Sequence, residues 1–245
     1  MGESMGSKQK QRALITGASS GIGKATALAF AKAGIDVALV SRSLDKLETV
    51  ATAAKQTGVE AKAYTLDLAE IPQIEAKITA ITQDFGNIDI LVNNAGIGYT
   101  GNLSDTSLED WQNVININLT SVFECIKGIL PGMRDRSTGT IINVASIAAK
   151  QTFAGWGAYC VSKAGLLALS QTLAQEERAH GIRVTAICPG SVNTEIWDTD
   201  TVQVNFDRSK MLTPEIVAQS ILHTVLLPPQ AVIDELVLMP NAGTF

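Results

Sequence analysis

The sequence predicts an α/β protein, a Rossmann-type, doubly wound parallel sheet with helices on both faces. Three observations predict it. Short β-branched runs alternate with longer amphipathic segments from one end of the chain to the other. Most of the short runs are apolar at every position, as strands covered on both faces are. A glycine-rich turn follows the first run directly and opens a helical segment, the place this architecture gives such a turn. The 245 residues suffice for one sizeable domain with a buried core and are a tight fit for two.

Taken in order, the strands fall at residues 13–16, 37–40, 61–66, 88–92, 140–144, 183–187 and 235–239. Helical periodicity fills the intervals at 22–32, 44–57, 71–84, 108–133, 155–179 and 214–227. Thr213 and Pro214 read as an N-cap followed by proline at the first helical position. Repeated strand–helix–strand order implies right-handed crossovers and about seven strands in the order 3-2-1-4-5-6-7. Ligands of such sheets bind outside the carboxyl ends of the strands. The longest stretch without periodicity, 194–212, follows a strand at that edge and carries Trp197, Asp198 and Asp200; a flexible lid is expected there. Residues 1–11 are polar and Gly/Ser/Lys-rich without an apolar stretch, so they read as a tail and not a signal peptide. No linker composition interrupts 12–245, which is expected to be one domain.

Composition narrows the function. A formal charge of −5 without any basic stripe argues against broad nucleic-acid binding. Hydrophobic residues make up 46% and charged residues 18%, the balance of a soluble protein, and no apolar run reaches membrane-spanning length. Cys125, Cys160 and Cys188 are dispersed, which suits a reducing, cytoplasmic setting, and Cys160 is expected to pack and not to react. His180 and His223 have no ligand-spaced neighbours, so no metal site is expected.

The turn after the first strand reads Thr16-Gly17-Ala18-Ser19-Ser20-Gly21-Ile22-Gly23. Gly17 permits a tight turn, Gly21 lets phosphate oxygens approach, and Gly23 lets the helix pack on the sheet. The helix start then offers N–H groups and a positive dipole end to a pyrophosphate. At the end of the second strand, where an acid would favour NAD, the chain has Val40-Ser41-Arg42-Ser43. Arg42 and Ser41 suit a 2′-phosphate, so NADP(H) is the expected cofactor. Asp36 has the sequence offset of a ribose-binding acid but precedes its strand and reads as a turn residue.

The Gly17-x-x-x-Gly21-x-Gly23 spacing is similar to that of the short-chain dehydrogenase/reductase family. Further motifs follow in that family's order: Asn93-Asn94-Ala95-Gly96, Asn118, Ser146, Tyr159-x-x-x-Lys163, and Pro189-Gly190 with Val192 and Thr194. The resemblance covers essentially the whole chain after the tail. It implies that Asp67 with Leu68 meets the adenine and that Asn93, Asn94, Ala95 and Gly96 line the adenosine-ribose side. It further implies that Lys163 holds the nicotinamide ribose, that Asn118 anchors a water leading from Lys163, and that the assembly is a homotetramer or a dimer built on the long helices.

Tyr159 and Lys163 are one helical turn apart and share a face. A free tyrosine titrates near ~10, and a neighbouring ammonium is expected to lower that value. Ser146 would orient a substrate oxygen. The chemistry expected is NADPH-dependent reduction of a ketone, with Tyr159 as acid–base group. Substrate contacts are expected from residues 97–102, 147–156 and 191–200, with Tyr99, Phe153, Trp156 and Trp197 making an apolar pocket. Glu176 and Glu177 read as a solvated face.

Two alternatives stay open. A 3-oxoacyl-(acyl-carrier-protein) reductase shares the architecture, but the segment after Gly96 lacks the Ile-Thr-Arg-Asp run of that group, and the C-terminus lacks its Val-Asn-Gly-Gly ending. A non-catalytic NADP(H)-binding sensor would be expected to lose the tyrosine or lysine, and both are present.

Overall fold

A computed structural model describes residues 10–204 and 207–243. Seven strands, β1 (Arg12–Thr16), β2 (Asp36–Ser41), β3 (Ala61–Thr65), β4 (Ile90–Asn93), β5 (Gly139–Val144), β6 (Ile182–Pro189) and β7 (Glu235–Leu238), form one sheet. All neighbours are parallel and the order is β3-β2-β1-β4-β5-β6-β7, as the sequence predicts. Side chains of β1 alternate between two cores. Ala13 and Ile15 join Phe30, Leu47 and Val217 on one face, while Leu14 joins Ile78, Ile126 and Leu166 on the other.

The first core is covered by α1 (Gly21–Lys32), α2 (Leu44–Lys55) and α7 (Pro214–Val225). The second lies under α3 (Ile71–Phe85), α5 (Ser121–Asp135) and α6 (Gly157–Glu177). Helix α7 starts as the Thr-Pro pair predicts: Thr213 accepts a hydrogen bond from the Ile216 N–H at 3.4 Å, with Pro214 behind it. No helix among the described residues is long and apolar enough to cross a membrane.

The structure corrects four expectations. The helix expected over 108–133 is two, α4 (Leu108–Ile115) and α5, joined by a π-turn at Asn116–Thr120 that directs Asn118 into the interior. Helix α6 begins at Gly157, because Gly155 has φ +77° and cannot lie in a right-handed helix. Asp36 is the first residue of β2 and not a turn residue; it is buried and accepts the Glu60 N–H at 2.8 Å. Its place at the amino end of the strand keeps it away from the ligand edge. Glu177 is fully buried and ion-paired with Arg134, so only part of the Glu176-Glu177 pair is a solvated face. Of the expected tail, residues 1–9 lie outside the described residues, whereas Gln11 is tied into the sheet through its carbonyl, which accepts from Asp36 N at 2.9 Å.

Candidate active site

The turn after β1 needs glycine at two left-handed positions, Gly17 (φ +65°) and Gly21 (φ +50°). Gly23 is needed for a different reason. A Cβ there would stand 2.2 Å from the Gly17 carbonyl oxygen and 2.5 Å from Asn94 Nδ2, so the helix start fits tightly against the turn and against the residue that follows β4. The turn is clamped from β4. The Thr16 hydroxyl accepts the N–H groups of Asn94 and Ala95 at 3.0 and 3.1 Å, and Asn94 Nδ2 donates to the Thr16 carbonyl at 3.0 Å. Helix α1 then starts at Ser20 with no side-chain cap and no acid in its first turn. Its first N–H groups and positive dipole end are thus available to an anion.

Beyond β2, Arg42 is exposed and makes no hydrogen bond or ion pair with the described residues, while Ser41 Oγ accepts the Ser43 N–H at 3.3 Å. After β3, Asp67 turns its carboxylate to the Ala69 N–H at 2.9 Å, and Leu68 is buried.

A cleft with about 990 Å³ of empty space, part of it open to solvent, lies at the carboxyl ends of β4, β5 and β6. Ser146, Tyr159 and Lys163 all line it. Ser146 begins the short turn after β5, its hydroxyl accepting the Ala148 N–H at 3.1 Å. Lys163 sits one turn after Tyr159 on α6, with its Nζ 5.8 Å from the Tyr159 ring centre, and donates to the Val144 carbonyl at 2.9 Å. Asn118 lies just behind. Its amide bonds both the N–H and the carbonyl of Ile97 at 2.8 and 2.9 Å and donates to Ser162 Oγ at 3.0 Å, fastening the loop after β4 to α6.

Burial raises the Tyr159 pKa, and a hydrogen bond with Ser146 pulls the other way. The expectation that Lys163 would lower it is therefore corrected. The lysine is itself buried, which pushes it down to about 8, so its own charge is costly to keep there.

The far side of the cleft is aromatic. Trp156, at the N-cap of α6, packs edge-on against Tyr159 at 5.5 Å and against Trp197 at 5.9 Å between ring centres. Trp197 Nε1 donates to the Val192 carbonyl at 2.7 Å.

The short chain dehydrogenase family profile matches residues 11–204. The chain belongs to this family. A putative ketoacyl reductase of Streptomyces coelicolor is 36% identical, covering 86% of this chain and 85% of that protein. A 3-oxoacyl-[acyl-carrier-protein] reductase of Staphylococcus epidermidis is 38% identical over 75% of this chain and 76% of its own length. Glycine betaine reductase of Emericella nidulans is 33% identical over 94% of this chain, which spans only 18% of that longer protein. The crystal structure of an actinorhodin polyketide ketoreductase with NADPH superposes with a TM-score of 0.86 at 32% identity, covering 98% of this chain and 100% of that one.

In this short-chain dehydrogenase the cleft gathers about half of the nominated residues. Ile22, Asn94 and Gly96 come from the turns after β1 and β4, and Pro189, Gly190, Val192 and Thr194 from the end of β6 and the loop beyond it. Phe153 and Trp197 complete the nominated set on the substrate side. Gly17, Ser19, Ser20, Gly21, Gly23, Ser41, Arg42, Asp67, Leu68 and Ala95 do not line it but follow the carboxyl ends of β1–β4. Tyr99, expected in the pocket, does not line it either; its hydroxyl turns to Asp110 at 3.4 Å. The lining residues not nominated are Val144 and Ala145 at the end of β5, and Ile147, Ala148, Ser191 and Ile196 beyond the strand ends. The strand-end rule found their loops, but apolar loop residues carry no spacing that singles out the inward-facing ones.

Proposed function

We propose that this short-chain dehydrogenase is an NADP(H)-dependent carbonyl reductase. The observation that carries the reading is the meeting of Ser146, Tyr159 and Lys163 on one cleft beside the Gly17–Gly23 turn. The cradle suits a dinucleotide: an uncapped helix start behind two left-handed glycines, with Arg42 just past the end of the neighbouring strand, β2. Gly17, Ser19, Ser20, Gly21, Ile22 and Gly23 would hold the diphosphate, and Ser41 with Arg42 the 2′-phosphate. Asp67, Leu68, Asn94, Ala95 and Gly96 would hold the adenosine side. Lys163, Pro189, Gly190, Val192 and Thr194 would hold the nicotinamide half. When bound, the reduced cofactor supplies hydride to a carbonyl carbon.

Tyr159 gives its phenolic proton to the carbonyl oxygen as negative charge develops there. Its raised pKa keeps the phenol protonated at neutral pH, the state a donor needs. Ser146 donates a hydrogen bond to the same oxygen and fixes its position. Lys163, held by the Val144 carbonyl, places its ammonium beneath the Tyr159 ring, and Asn118 keeps the loop after β4 against α6. Phe153 and Trp197 bound the substrate. The 36–38% identity to acyl-thioester reductases favours a 3-oxoacyl thioester as the second reading. Leu108, Phe123 and Val161 expose apolar side chains on α4, α5 and α6, which supports the tetramer that the resemblance implies.

The test is to follow NADPH and NADH oxidation against ketones and an acetoacetyl thioester. NADPH should be preferred, and Tyr159→Phe should cut turnover on the order of 10³-fold while cofactor binding persists. Preference for NADH would overturn the role of Arg42, and retained turnover in the variant would overturn that of Tyr159.

A further inference from the structure

The floor of the cleft explains where a proton would be delivered, but not why its far wall is built from indole rings. Tyr159, Trp156 and Trp197 form a row, each neighbouring pair edge-to-face with interplanar angles of 68° and 71°. The row begins at the proposed proton donor and runs away from it, so whatever is attached to the reacting carbonyl lies along Trp156 and Trp197. Trp197 is held in place before any substrate arrives. Its indole N–H is engaged by the Val192 carbonyl, and the short turn Glu195–Asp198 that carries it is clasped by Arg208. Arg208 donates to Asp198 Oδ1 at 2.6 Å and to the Thr194 carbonyl at 2.9 Å.

The wall is apolar: the rings of Phe153, Trp156 and Trp197, with Ile147, Val192 and Ile196 beside them. Among the described residues no Asp, Glu or Arg lines the cleft, and the one charged residue that does, Lys163, is buried at the floor against a carbonyl. A charged substituent would find no counter-ion. Indole faces also attract cations, but an ammonium group would enter here beside Lys163 with no carboxylate to offset it. A flexible alkyl chain would fill the space only by losing rotamer freedom. A flat ring conjugated to the carbonyl loses little, and it gains edge and face contacts with two fixed indoles.

We propose that the substrate carries a planar aromatic ring directly beside its carbonyl, seated against Trp156 and Trp197. This rests on the carbonyl-reductase reading and names its substrate class. The redox balance is that of any ketone reduction. The carbonyl carbon takes a hydride and both its electrons from NADPH, the C=O π pair moves to oxygen, and oxygen takes the Tyr159 proton to give a secondary alcohol and NADP⁺.

The test uses acetophenone and cyclohexyl methyl ketone, which share a carbon skeleton and differ in planarity and π character. With NADPH, kcat/KM should favour acetophenone by about tenfold, the size that two aromatic contacts supply. Trp197→Leu should bring the ratio towards one through the acetophenone arm, and Trp197→Phe, which restores a ring, should recover it. Trp156→Leu supplies an independent arm if the Trp197 variants do not fold. Calorimetry with NADP⁺ present reads binding without turnover and should show the same order of affinity. Preference for the cyclohexyl ketone, or a ratio unmoved in the leucine variants, would overturn the proposal while leaving the reductase reading intact. Acetophenone that binds in preference to its analogue but is never reduced would support the ring seat and overturn the reductase reading instead. Binding of neither ketone would overturn the proposal.

Discussion

The two sides of the cleft are held by different parts of the chain. On the cofactor side, the Gly17–Gly23 turn is shaped by main-chain angles and clamped by Thr16 and Asn94 at the ends of two central strands. On the proposed substrate side, the segment from Ser191 to Leu212 has its two ends joined by main-chain bonds, Asn193 N–H to the Leu212 carbonyl at 2.8 Å and Leu212 N–H to the Ser191 carbonyl at 2.9 Å. Apart from a further main-chain bond, Thr100 N–H to the Thr201 carbonyl at 2.8 Å, side chains do most of the holding: Arg208 on Asn193, Asp198 and Thr194, Thr201 Oγ1 on the Gly98 carbonyl at 2.7 Å, and Trp197 on Val192. The difference teaches that one sheet edge can carry a turn set by main-chain angles beside a wall held largely by side chains. Damage to the first should remove cofactor binding, and damage to the second should alter substrate use.

The largest break is expected in the cradle. Gly23→Ala places a methyl 2.2 Å from the Gly17 carbonyl oxygen and 2.5 Å from Asn94 Nδ2, and neither can yield without opening the turn. Overpacking of this kind costs about 1–3 kcal/mol or more. NADPH affinity should fall on the order of 100-fold, and titration of cofactor fluorescence would read it. Unchanged affinity would show that the turn is not the phosphate cradle.

That asymmetry also explains what was legible in the sequence. Seven strands and their order could be read because buried parallel strands are apolar throughout and each crossover constrains the next. The glycines could be read because positive φ and close backbone approach demand them. The π-turn that aims Asn118 inward left no mark, since 108–133 keeps helical periodicity on either side of it. Glu177 looked solvated because its partner, Arg134, is far away in sequence. Tyr99 and Trp156 are both loop aromatics near the same edge. Only the folded loops decide that one faces Asp110 and the other the cleft.

An intermediate effect is expected at Lys163, which lines the cleft and is proposed to serve both sides. Burial holds its pKa at about 8, against ~10.4 for a free lysine. If its ammonium holds the cofactor, kcat/KM for NADPH should fall above pH 8, approaching tenfold per pH unit. The sign for stability is opposite. Between about pH 8 and 10.4 the unfolded chain binds the extra proton at this group, so its contribution to stability rises with pH across that window. A falling rate with an undiminished melting temperature would therefore report the lysine and not unfolding. A flat profile to pH 10 would remove Lys163 from cofactor binding.

The smallest effect, and the sharpest test of the comparison, belongs to Arg208. Its pair with Asp198 is solvent-exposed and worth at most ~1 kcal/mol. Its forked bonds to Asn193 and the Thr194 carbonyl set the position of the turn carrying Trp197. Arg208→Ala should therefore leave the melting temperature nearly unchanged and raise the ketone KM several-fold, with kcat within about twofold. Arg208→Lys should recover little, because an ammonium cannot reproduce a planar fork with three fixed acceptors. Thr194 is where the two sides could prove inseparable. Its methyl would lie 3.1 Å from a Cβ on Gly21, so it borders the phosphate turn as well as the wall. An equal loss of NADPH affinity in Arg208→Ala would mean that the loop after β6 carries part of the cradle. Loss confined to the ketone would confirm that a side-chain-built wall can be retuned without disturbing the backbone-built one.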